Sequence, residues 1–449
     1  MSGFFPPFDA PPDPAQGSAL PLLVTARIPG PAGRPLIDLL AAHECPAITA
    51  RRARRAESSG ADQDPIVWDR ALGANVWDPD GNRFVDLTAG FGVASAGQSN
   101  PLVVERVTAQ LGRHMHGMGD AFPGRARIEL AAALARIAPG GLEQVLFGSD
   151  GSDAVEAALK TAVIVTGRTR MLGFEGSYHG LSLGALSVSH YKEPFRAPFR
   201  GLMGRTADWV PFGCDEATLA AALDSEPVAA VIVEPIQGRG GDRTAPPDWF
   251  RALRRLCDAR GIVLIFDEIF TGFGRAGALF QAGTDAVGGV VPDLLCVGKG
   301  MTSGFPVSAC IGTRAIMGHW GSSAGEAIHT STFLGHPVGC AAALAVIELI
   351  EEHGLIARGA ALGEHMGRTL QDLVARDPDR FLGVRGRGAM RGLLVRGGIA
   401  ATLPMCRALL NRGWIVMPAG ADGEVISFTP ALTLTRAQWD GAVAALEGL

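Results

Sequence analysis

The chain has 449 residues with a formal net charge of −5, and 47% of them are hydrophobic and 19% charged. A chain of this length buries a large core and usually forms more than one domain, while 40 basic against 45 acidic residues argue against a nucleic-acid or anionic-membrane partner. No apolar run approaches the roughly 18 residues of a membrane span, and the seven scattered cysteines lack metal-ligand spacing, so we expect a cytoplasmic protein without a metal site.

The first 95 residues predict an N-terminal arm and the first part of a small domain. Residues 1–35 are rich in proline and turn-forming residues, which is typical of an arm. The segment 67–90 alternates apolar and polar residues around an Asp-Gly pair, and this pattern predicts antiparallel strands joined by a tight turn. We assign 36–95 to the small domain. The basic cluster at 51–55 is interpreted as a solvated helix face rather than a phosphate-binding patch.

Residues 96–345 alternate helical patterns with short apolar runs rich in β-branched residues. This alternation predicts a large α/β domain with a largely parallel central sheet flanked by helices. A predicted helix at 339–354 ends this part of the chain. Two further strand patterns in 346–449 predict a smaller α+β domain, and we expect the strands near residue 70 to join it. The six predicted strands of the large domain read LEQVLFGSD, RMLGFEG, PVAAVIVEP, GIVLIFDE, PDLLCVGK and FPVSACIGT.

A glycine-rich turn follows the first of these strands, at the sheet edge where α/β proteins bind ligands. Around Gly151 and Ser152 this turn would direct backbone N–H groups and a hydroxyl at a phosphate, but an ordinary turn between a strand and a helix gives the same pattern. The spacing of Asp153 and Glu156 predicts the N-cap and N3 residues of the helix that follows.

Aromatic and acidic residues end two other strands. Tyr178, next to His179, offers a flat surface on which a ligand ring can stack, although a tyrosine of the core or surface fits equally. Asp267 and Glu268 end an apolar strand, and because side chains alternate along a strand only one of them faces the ligand. We expect Asp267 to face it, and Glu268 to meet solvent or a basic partner.

Lys299 lies between two glycines directly after another apolar strand. A desolvated lysine has a lowered pKa and becomes a nucleophilic amine, as a Schiff base with an aldehyde requires. A phosphate cradle, an aromatic plate, an acid and a lysine are together the contacts that pyridoxal phosphate needs, because a fixed aspartate keeps its pyridine nitrogen protonated. The sequence therefore predicts a pyridoxal-phosphate site.

The motifs that carry these residues resemble those of the class III (omega) aminotransferases, pyridoxal-phosphate enzymes of fold type I, in order from about residue 65 to 435. The resemblance implies that Lys299 carries the internal aldimine and moves the proton, that Asp267 pairs with the pyridine nitrogen, and that Tyr178 stacks on the ring. It also places His179 among the cofactor-binding residues. The motifs read GSDGSDAVEAALK, SYHGLSLGALS, VIVEPIQGRGG, IFDEIFTGFGRAG, LLCVGKGMTSGFP and HTSTFLGHPVGCAAALAV.

The same resemblance implies how the phosphate is bound and what the enzyme does. Gly151 and Ser152 would hold the phosphate, and Thr332 would reach the phosphate of the other subunit, so a homodimer with shared active sites is expected. The expected reaction moves an amino group from an amine or omega-amino acid to a 2-oxo acid, pyruvate or 2-oxoglutarate. No nucleic-acid or membrane partner is expected.

Three positions depart from the pattern of this family. Phe270 stands where a glutamine or small residue is common, so we expect a lost polar contact and added packing. Arg239 stands where many relatives that act on amino acids have glutamate, and Ser427 where several have a carboxylate-binding arginine. We hypothesise that Arg239 receives a substrate carboxylate; a surface-directed arginine on a mobile loop is the alternative.

Other functions fit parts of the pattern. The run GFGRAG, residues 272–277, matches a dinucleotide-binding fingerprint, but a poor helix follows it and Asp293 precedes its strand instead of ending one. Racemases, epimerases and aminomutases of the same fold use the same lysine, aspartate and phosphate cradle, so they remain alternatives. A binding module without turnover is disfavoured because a binder needs no swinging amine.

Overall fold

The computed structural model describes residues 3–49, 53, 54, 56, 57, 65–119, 121–321 and 327–449. The chain forms two compact units, one of Met1–Pro101 with Ala357–Leu449 and one of Leu102–Ile356. Arg51, Arg52 and Arg55 of the predicted basic cluster lie outside the described residues. No helix among the described residues is long and apolar enough to span a membrane.

The unit of residues 102–356 is built on a seven-stranded sheet, whose strands we label in chain order. In space they follow the order β1-β7-β6-β5-β4-β2-β3, and all neighbouring pairs are parallel except those that involve β7. The predicted largely parallel sheet is confirmed. The strands are β1 Leu142–Gly148, β2 Arg170–Phe174, β3 Ala207–Val210, β4 Val228–Val233, β5 Val263–Asp267, β6 Leu294–Val297 and β7 Ser308–Thr313.

Helices cover this sheet, and the resulting core explains the continuous apolar runs of its strands. Every residue of β4 and β5 is buried, as expected for parallel strands that are covered on both faces. Ala154 and Ala158 of the helix that follows β1 share one apolar core with Ile232, Ile265 and Cys296. The helices are Pro101–Leu111, which begins at the unit boundary, Arg125–Ile137, Gly151–Thr166, Leu183–Val188, Glu193–Arg196, Arg200–Met203, Glu216–Asp224, Pro247–Arg260, Arg314–Met317 and Pro337–Glu351.

The other unit contains two four-stranded sheets. The predicted antiparallel strands near residue 70 are confirmed, and Trp414–Ile415 adds a parallel strand from the C-terminal segment to their sheet. The sheets are, in spatial order, Arg70–Leu72, Asn75–Trp77, Arg83–Asp86 and Trp414–Ile415, and Phe381–Arg387, Met390–Val395, Val425–Phe428 and Met417–Ala419. Its helices are Gly33–His43, Pro46–Thr49, Ala89–Gly92, Leu355–Arg376, Ile399–Leu410 and Arg436–Glu447.

The proline-rich N-terminal segment is part of this second unit. The side chain of Asn75 accepts a hydrogen bond from the Ala19 N–H and donates one to the Ala19 carbonyl. Ala19 and Ile28 are buried. The segment that was predicted as an arm therefore contributes apolar side chains to the interior of this unit.

Candidate active site

Polar side chains gather at the carboxyl edge of the seven-stranded sheet. Strand β5 ends at Asp267, and Asp267 is paired in register with Cys296 of the parallel neighbour β6. Lys299 follows two residues after β6 ends. Because β2 is parallel to these strands, Tyr178 and His179, which follow it, belong to the same edge. The sheet order thus brings together residues that are more than a hundred positions apart in the chain.

Asp267 and His179 form a buried pair. His179 Nδ1 lies 2.7 Å from Asp267 Oδ2, and the two side chains are 0% and 4% exposed. The other carboxylate oxygen of Asp267 accepts a hydrogen bond from the Ile269 N–H at 3.1 Å, while the His179 N–H donates to Ser189 Oγ at 2.9 Å. Asp267 therefore has a fixed orientation, and His179 is placed against Asp267.

Lys299 is held in an unusual backbone conformation with its amine against an aromatic ring. Its φ is +39°, in the left-handed region that costs about 1–2 kcal/mol for a residue other than glycine and is commonly found at functional sites. Its Nζ lies 3.9 Å from the centroid of the Phe270 ring. Phe270 therefore packs on the lysine; the polar contact with the cofactor that we expect to be lost at this position stays a prediction.

The surroundings of Lys299 favour the neutral amine. Burial lowers the pKa of Lys299 to about 8, against the opposing charges of Asp267 and Glu234, and Arg239 lowers it further. About a tenth of the amine is therefore uncharged at pH 7, far more than for an ordinary lysine. A neutral amine is what both nucleophilic attack and proton abstraction require.

Glu234, which sequence reasoning did not single out, lies directly after β4 and is buried. Its carboxylate accepts hydrogen bonds from the Tyr178 N–H at 2.9 Å and the Gly238 N–H at 3.3 Å. Burial raises the pKa of Glu234 to about 7, while the neighbouring His179 lowers it. The available signal was an acid that follows an entirely apolar strand, the same signal that identified Asp267.

The expectation for Glu268 was wrong. Glu268 is 0% exposed, and its carboxylate accepts hydrogen bonds from the backbone N–H groups of Gln281 and Ala282, both at 2.7 Å, and from the Thr271 hydroxyl. Burial raises its pKa to about 7. It is buried away from solvent and forms no ion pair with a described residue, because the chain folds back 13 residues later and supplies backbone donors.

The glycine-rich turn after β1 leads into the helix Gly151–Thr166, but its predicted cap was wrong. Asp150 is the N-cap and accepts hydrogen bonds from the N–H groups of Ser152 at 2.7 Å and Asp153 at 3.2 Å. Asp153 instead accepts from the Ser149 N–H. Two aspartates three residues apart offered the same capping pattern, and the first one has the extended backbone that a cap requires.

Two glycines keep the space beside Ser152 and the helix start open. A Cβ at Gly180, whose φ is +126°, would lie 2.2 Å from Ser152 Oγ, and a Cβ at Gly151 would lie 3.0 Å from the Ile269 side chain. Ser152 Oγ accepts a hydrogen bond from the Leu181 N–H at 3.3 Å. An added carbon at Gly180 would therefore collide with the hydroxyl at the first turn of this 16-residue helix, so the close approach requires a glycine.

An arginine lies over the aromatic residues of the site. The guanidinium carbon of Arg239 is 5.0 Å from the ring centroid of Tyr178 and 5.2 Å from that of Tyr191, and the two tyrosine rings meet edge to face at 6.0 Å. Burial raises the pKa of Tyr178, and the charge of Arg239 opposes this rise. Tyr191 was also missed by sequence reasoning, since no motif marks it.

Two further residues named from the sequence are Thr332 and Ser427. Thr332 is exposed on a turn and lines a small pocket with His116 and Phe333. Ser427 belongs to the strand Val425–Phe428 of the other compact unit.

Comparison with known proteins decides the family. The family model for aminotransferase class-III matches residues 57–449. The chain belongs to the class III aminotransferases. Acetylornithine aminotransferase of Methanosarcina acetivorans is 35% identical over 385 residues, which cover 86% of this chain and 92% of that protein. The 4-aminobutyrate aminotransferase of Mycobacterium tuberculosis is 35% identical over 448 residues, with 92% and 94% covered.

Solved structures of other transaminases share the fold of this class III aminotransferase. An amine transaminase from an uncultivated Pseudomonas species, in its PLP-bound (internal aldimine) form, has a TM-score of 0.76 and 31% identity over 86% of this chain and 94% of its own. The ornithine aminotransferase from Toxoplasma gondii ME49 has a TM-score of 0.82 and 26% identity, with 93% and 95% covered. The predicted fold type I and the predicted cofactor, pyridoxal 5′-phosphate, are confirmed.

The residues at the sheet edge of this aminotransferase fit that cofactor. They supply an amine with a lowered pKa at Lys299, a carboxylate fixed by two hydrogen bonds at Asp267, and the hydroxyl of Ser152 at a helix start. The missing side chain at Gly180 lets the chain approach that hydroxyl closely, since a Cβ there would lie 2.2 Å from Ser152 Oγ. A helix N-terminus of this kind favours an anion such as phosphate.

Proposed function

We propose that the protein transfers an amino group from an amine or omega-amino acid to a 2-oxo acid, pyruvate or 2-oxoglutarate, with Lys299 as the residue that is linked to the cofactor. The pairing of β5 and β6 carries this proposal, because it sets a fixed carboxylate, Asp267, and an amine of lowered pKa, Lys299, at the ends of adjacent parallel strands. The names of two relatives, 4-aminobutyrate aminotransferase and amine transaminase, support the class of donor.

In this proposal each site residue at the carboxyl edge of the seven-stranded sheet has a separate role. Bound pyridoxal phosphate withdraws electrons from the substrate carbon that carries nitrogen, so that its C–H bond becomes acidic. When neutral, Lys299 Nζ would take that proton from the substrate carbon and would then deliver it to the C4′ carbon of the cofactor. Asp267 would stabilise a positive charge on the ring nitrogen of the cofactor, and His179 keeps the Asp267 carboxylate in place. Tyr178 covers the ring.

The lysine content of the chain makes the proposal for Lys299 directly testable. The sequence contains three lysines, Lys160, Lys192 and Lys299, so borohydride reduction followed by peptide mass spectrometry has few possible products. We expect the cofactor mass on Lys299 alone. Lys299→Ala should abolish it together with amino transfer, whereas Lys160→Ala, which changes an exposed helix residue, should retain both. Label on another lysine would contradict the assignment.

A donor panel separates transfer from the alternative reactions of the fold. Wild-type enzyme is mixed with single amines or amino acids in the absence of an acceptor, and the cofactor absorbance is followed. Conversion to the amine form of the cofactor, with release of the matching aldehyde or ketone, is expected for at least one donor, and pyruvate or 2-oxoglutarate should restore the starting spectrum. Loss of optical activity without that conversion would instead favour a racemase or epimerase.

The proposal includes a homodimer in which Thr332 contacts the phosphate of the partner's site, while Gly151 and Ser152 hold the phosphate within each subunit. Support comes from Phe333, which follows Thr332, lines the same small pocket and is 59% exposed. Exposed apolar surface commonly marks protein contacts.

Mixed dimers test this sharing of sites. Thr332→Ala should weaken cofactor binding by roughly tenfold through a lost hydrogen bond to a charged group, and Lys299→Ala should be inactive. A mixed dimer of the two variants contains one site with both residues intact if Thr332 acts across the interface. At a cofactor concentration that leaves Thr332→Ala mostly unloaded, activity should therefore rise above that of either variant alone on mixing. No recovery in a verified mixed dimer would contradict the shared site.

A further inference from the structure

Arg239 lies on a hairpin that is fixed by its backbone. The short strands Ile236–Gln237 and Arg243–Thr244 pair in antiparallel fashion, and the N–H groups of Gly241 and Asp242 both donate to the Gly238 carbonyl. The hairpin also packs closely on the chain next to Tyr178, since a Cβ at Gly240 would lie 2.8 Å from the Gly176 carbonyl oxygen. The alternative of an arginine on a surface-directed, mobile loop does not fit this geometry.

The guanidinium of Arg239 is held by aromatic rings and not by an acid. It lies about equally far from the rings of Tyr178 and Tyr191, and its Nε is buried without a hydrogen-bond partner. Within the part of the chain that the structure describes, no carboxylate forms an ion pair with Arg239. A partly buried cation without a counter-ion is unfavourable unless a ligand supplies one.

The position of this charge connects it with the reacting groups. Arg239 is close enough to Lys299 to act on the lysine amine electrostatically, and it packs on the tyrosine proposed to cover the cofactor ring. We infer that Arg239 is a fixed receptor for a substrate carboxylate, and that the enzyme therefore prefers amino donors and acceptors that carry a carboxylate over neutral amines and aldehydes. A guanidinium suits this task because its planar fork binds both carboxylate oxygens. This inference rests on the proposed amino transfer.

If Arg239 is a fixed receptor, its substitution should weaken the binding of compounds that carry a carboxylate and not that of neutral compounds. Each half-reaction is measured by cofactor absorbance with matched compounds that hold the carboxylate at the same distance from the reacting carbon, 4-aminobutyrate against butylamine as donors and 4-oxobutanoate against butanal as acceptors. Arg239→Ala should raise the apparent dissociation constant of the carboxylate-bearing member of each pair by roughly 10- to 100-fold, and change that of the neutral member less than about twofold. Arg239→Lys, which keeps the charge and loses the fork, should fall between wild type and alanine.

Arg243→Ala is the matched control, because it removes the same charge from the same hairpin while its guanidinium lies over Phe212 instead of Tyr178. It should leave the discrimination between the paired compounds unchanged. Butyrate, which has the carboxylate but no amine, provides a readout without turnover, since it should perturb the cofactor absorbance of wild type and lose affinity in Arg239→Ala.

Two results overturn the inference: equal losses for both members of a pair in Arg239→Ala, or unchanged constants for the carboxylate-bearing compounds. Either result leaves the aminotransferase proposal intact as long as wild type converts a donor. If wild-type enzyme converts no donor of either kind, the proposed function itself fails and the inference fails with it.

Discussion

His179 Nδ1 lies 2.7 Å from Asp267 Oδ2, and both side chains are almost completely removed from solvent. A buried carboxylate is costly unless it is hydrogen-bonded or paired, and this contact satisfies one of its two oxygens while the Ile269 N–H satisfies the other. Asp267 is thus held as an oriented acceptor before any ligand binds. Such preorganisation is what a residue needs in order to stabilise charge on a reacting group.

Removal of the His179 donor should therefore slow the reaction without unfolding the protein. A hydrogen bond to a charged group is worth about 1.5–3 kcal/mol, so we expect His179→Leu to lower the rate of the donor half-reaction roughly 10- to 100-fold. His179→Asn retains an N–H donor and should recover part of the rate. His319→Ala, at an exposed position, is the control, and an equal loss in the leucine and asparagine variants would argue for a packing role alone.

Glu268 predicts a defined pH dependence of stability. Burial raises its pKa from 4.5 to about 7 in the folded protein, so between these values the folded state binds more protons than the unfolded state. Its contribution to stability is complete below pH 4.5 and is lost as the pH rises through about 7, by an amount on the order of 3 kcal/mol.

Glu268→Gln removes this titration and tests it. The melting temperature of the variant minus that of wild type should become more positive between pH 5 and pH 8, whatever its value at pH 5. Measurements of both proteins at intermediate pH in one buffer series isolate the contribution of Glu268. A difference that does not change with pH would show that Glu268 keeps an ordinary pKa.

Lys299 predicts the pH dependence of cofactor loading. Its pKa is lowered to about 8 by burial, and only the neutral amine attacks an aldehyde. The rate at which apoenzyme takes up pyridoxal phosphate, followed by absorbance in a stopped-flow instrument, should rise with pH up to about 8 and then level off. A rate that continues to rise toward pH 10 would instead indicate an ordinary lysine amine.

The sequence predicted the positions of six strands of the large sheet. It did not predict which strand is antiparallel, and it missed one strand at the edge of the sheet. Apolar runs such as VAAVIV are long enough to mark a buried strand by themselves. The edge strand Ala207–Val210 was missed, because its residues ADWV show no continuous or alternating apolar pattern. Strand β7 was not distinguished as antiparallel, since a strand that is buried on both faces has the same composition in either direction.

Within the site, local chemistry was predictable and contacts between distant segments were not. The acid and the lysine at strand ends stand out because charged residues are rare after buried strands. The burial of Glu268 depends on backbone donors 13 and 14 residues further along the chain. The contact of Arg239 with Tyr191 joins residues 48 positions apart, and no local pattern encodes either arrangement.

Gly180 provides a steric test of the cradle beside Ser152. A Cβ at this position would lie 2.2 Å from Ser152 Oγ, where φ is +126°, so Gly180→Ala should displace the serine or the turn and weaken cofactor binding at least tenfold, measured by absorbance titration of apoenzyme. Gly261→Ala is the matched control, because Gly261 also has a positive φ, +58°, but meets no atom within 4 Å. Gly261→Ala carries left-handed backbone strain of about 1–2 kcal/mol, and Gly180→Ala carries backbone strain together with the contact with Ser152. A loss of affinity confined to Gly180→Ala therefore assigns the effect to the turn at Gly180 and its crowded serine. Equal affinity in the two variants would mean that the space beside Ser152 is not where the cofactor binds.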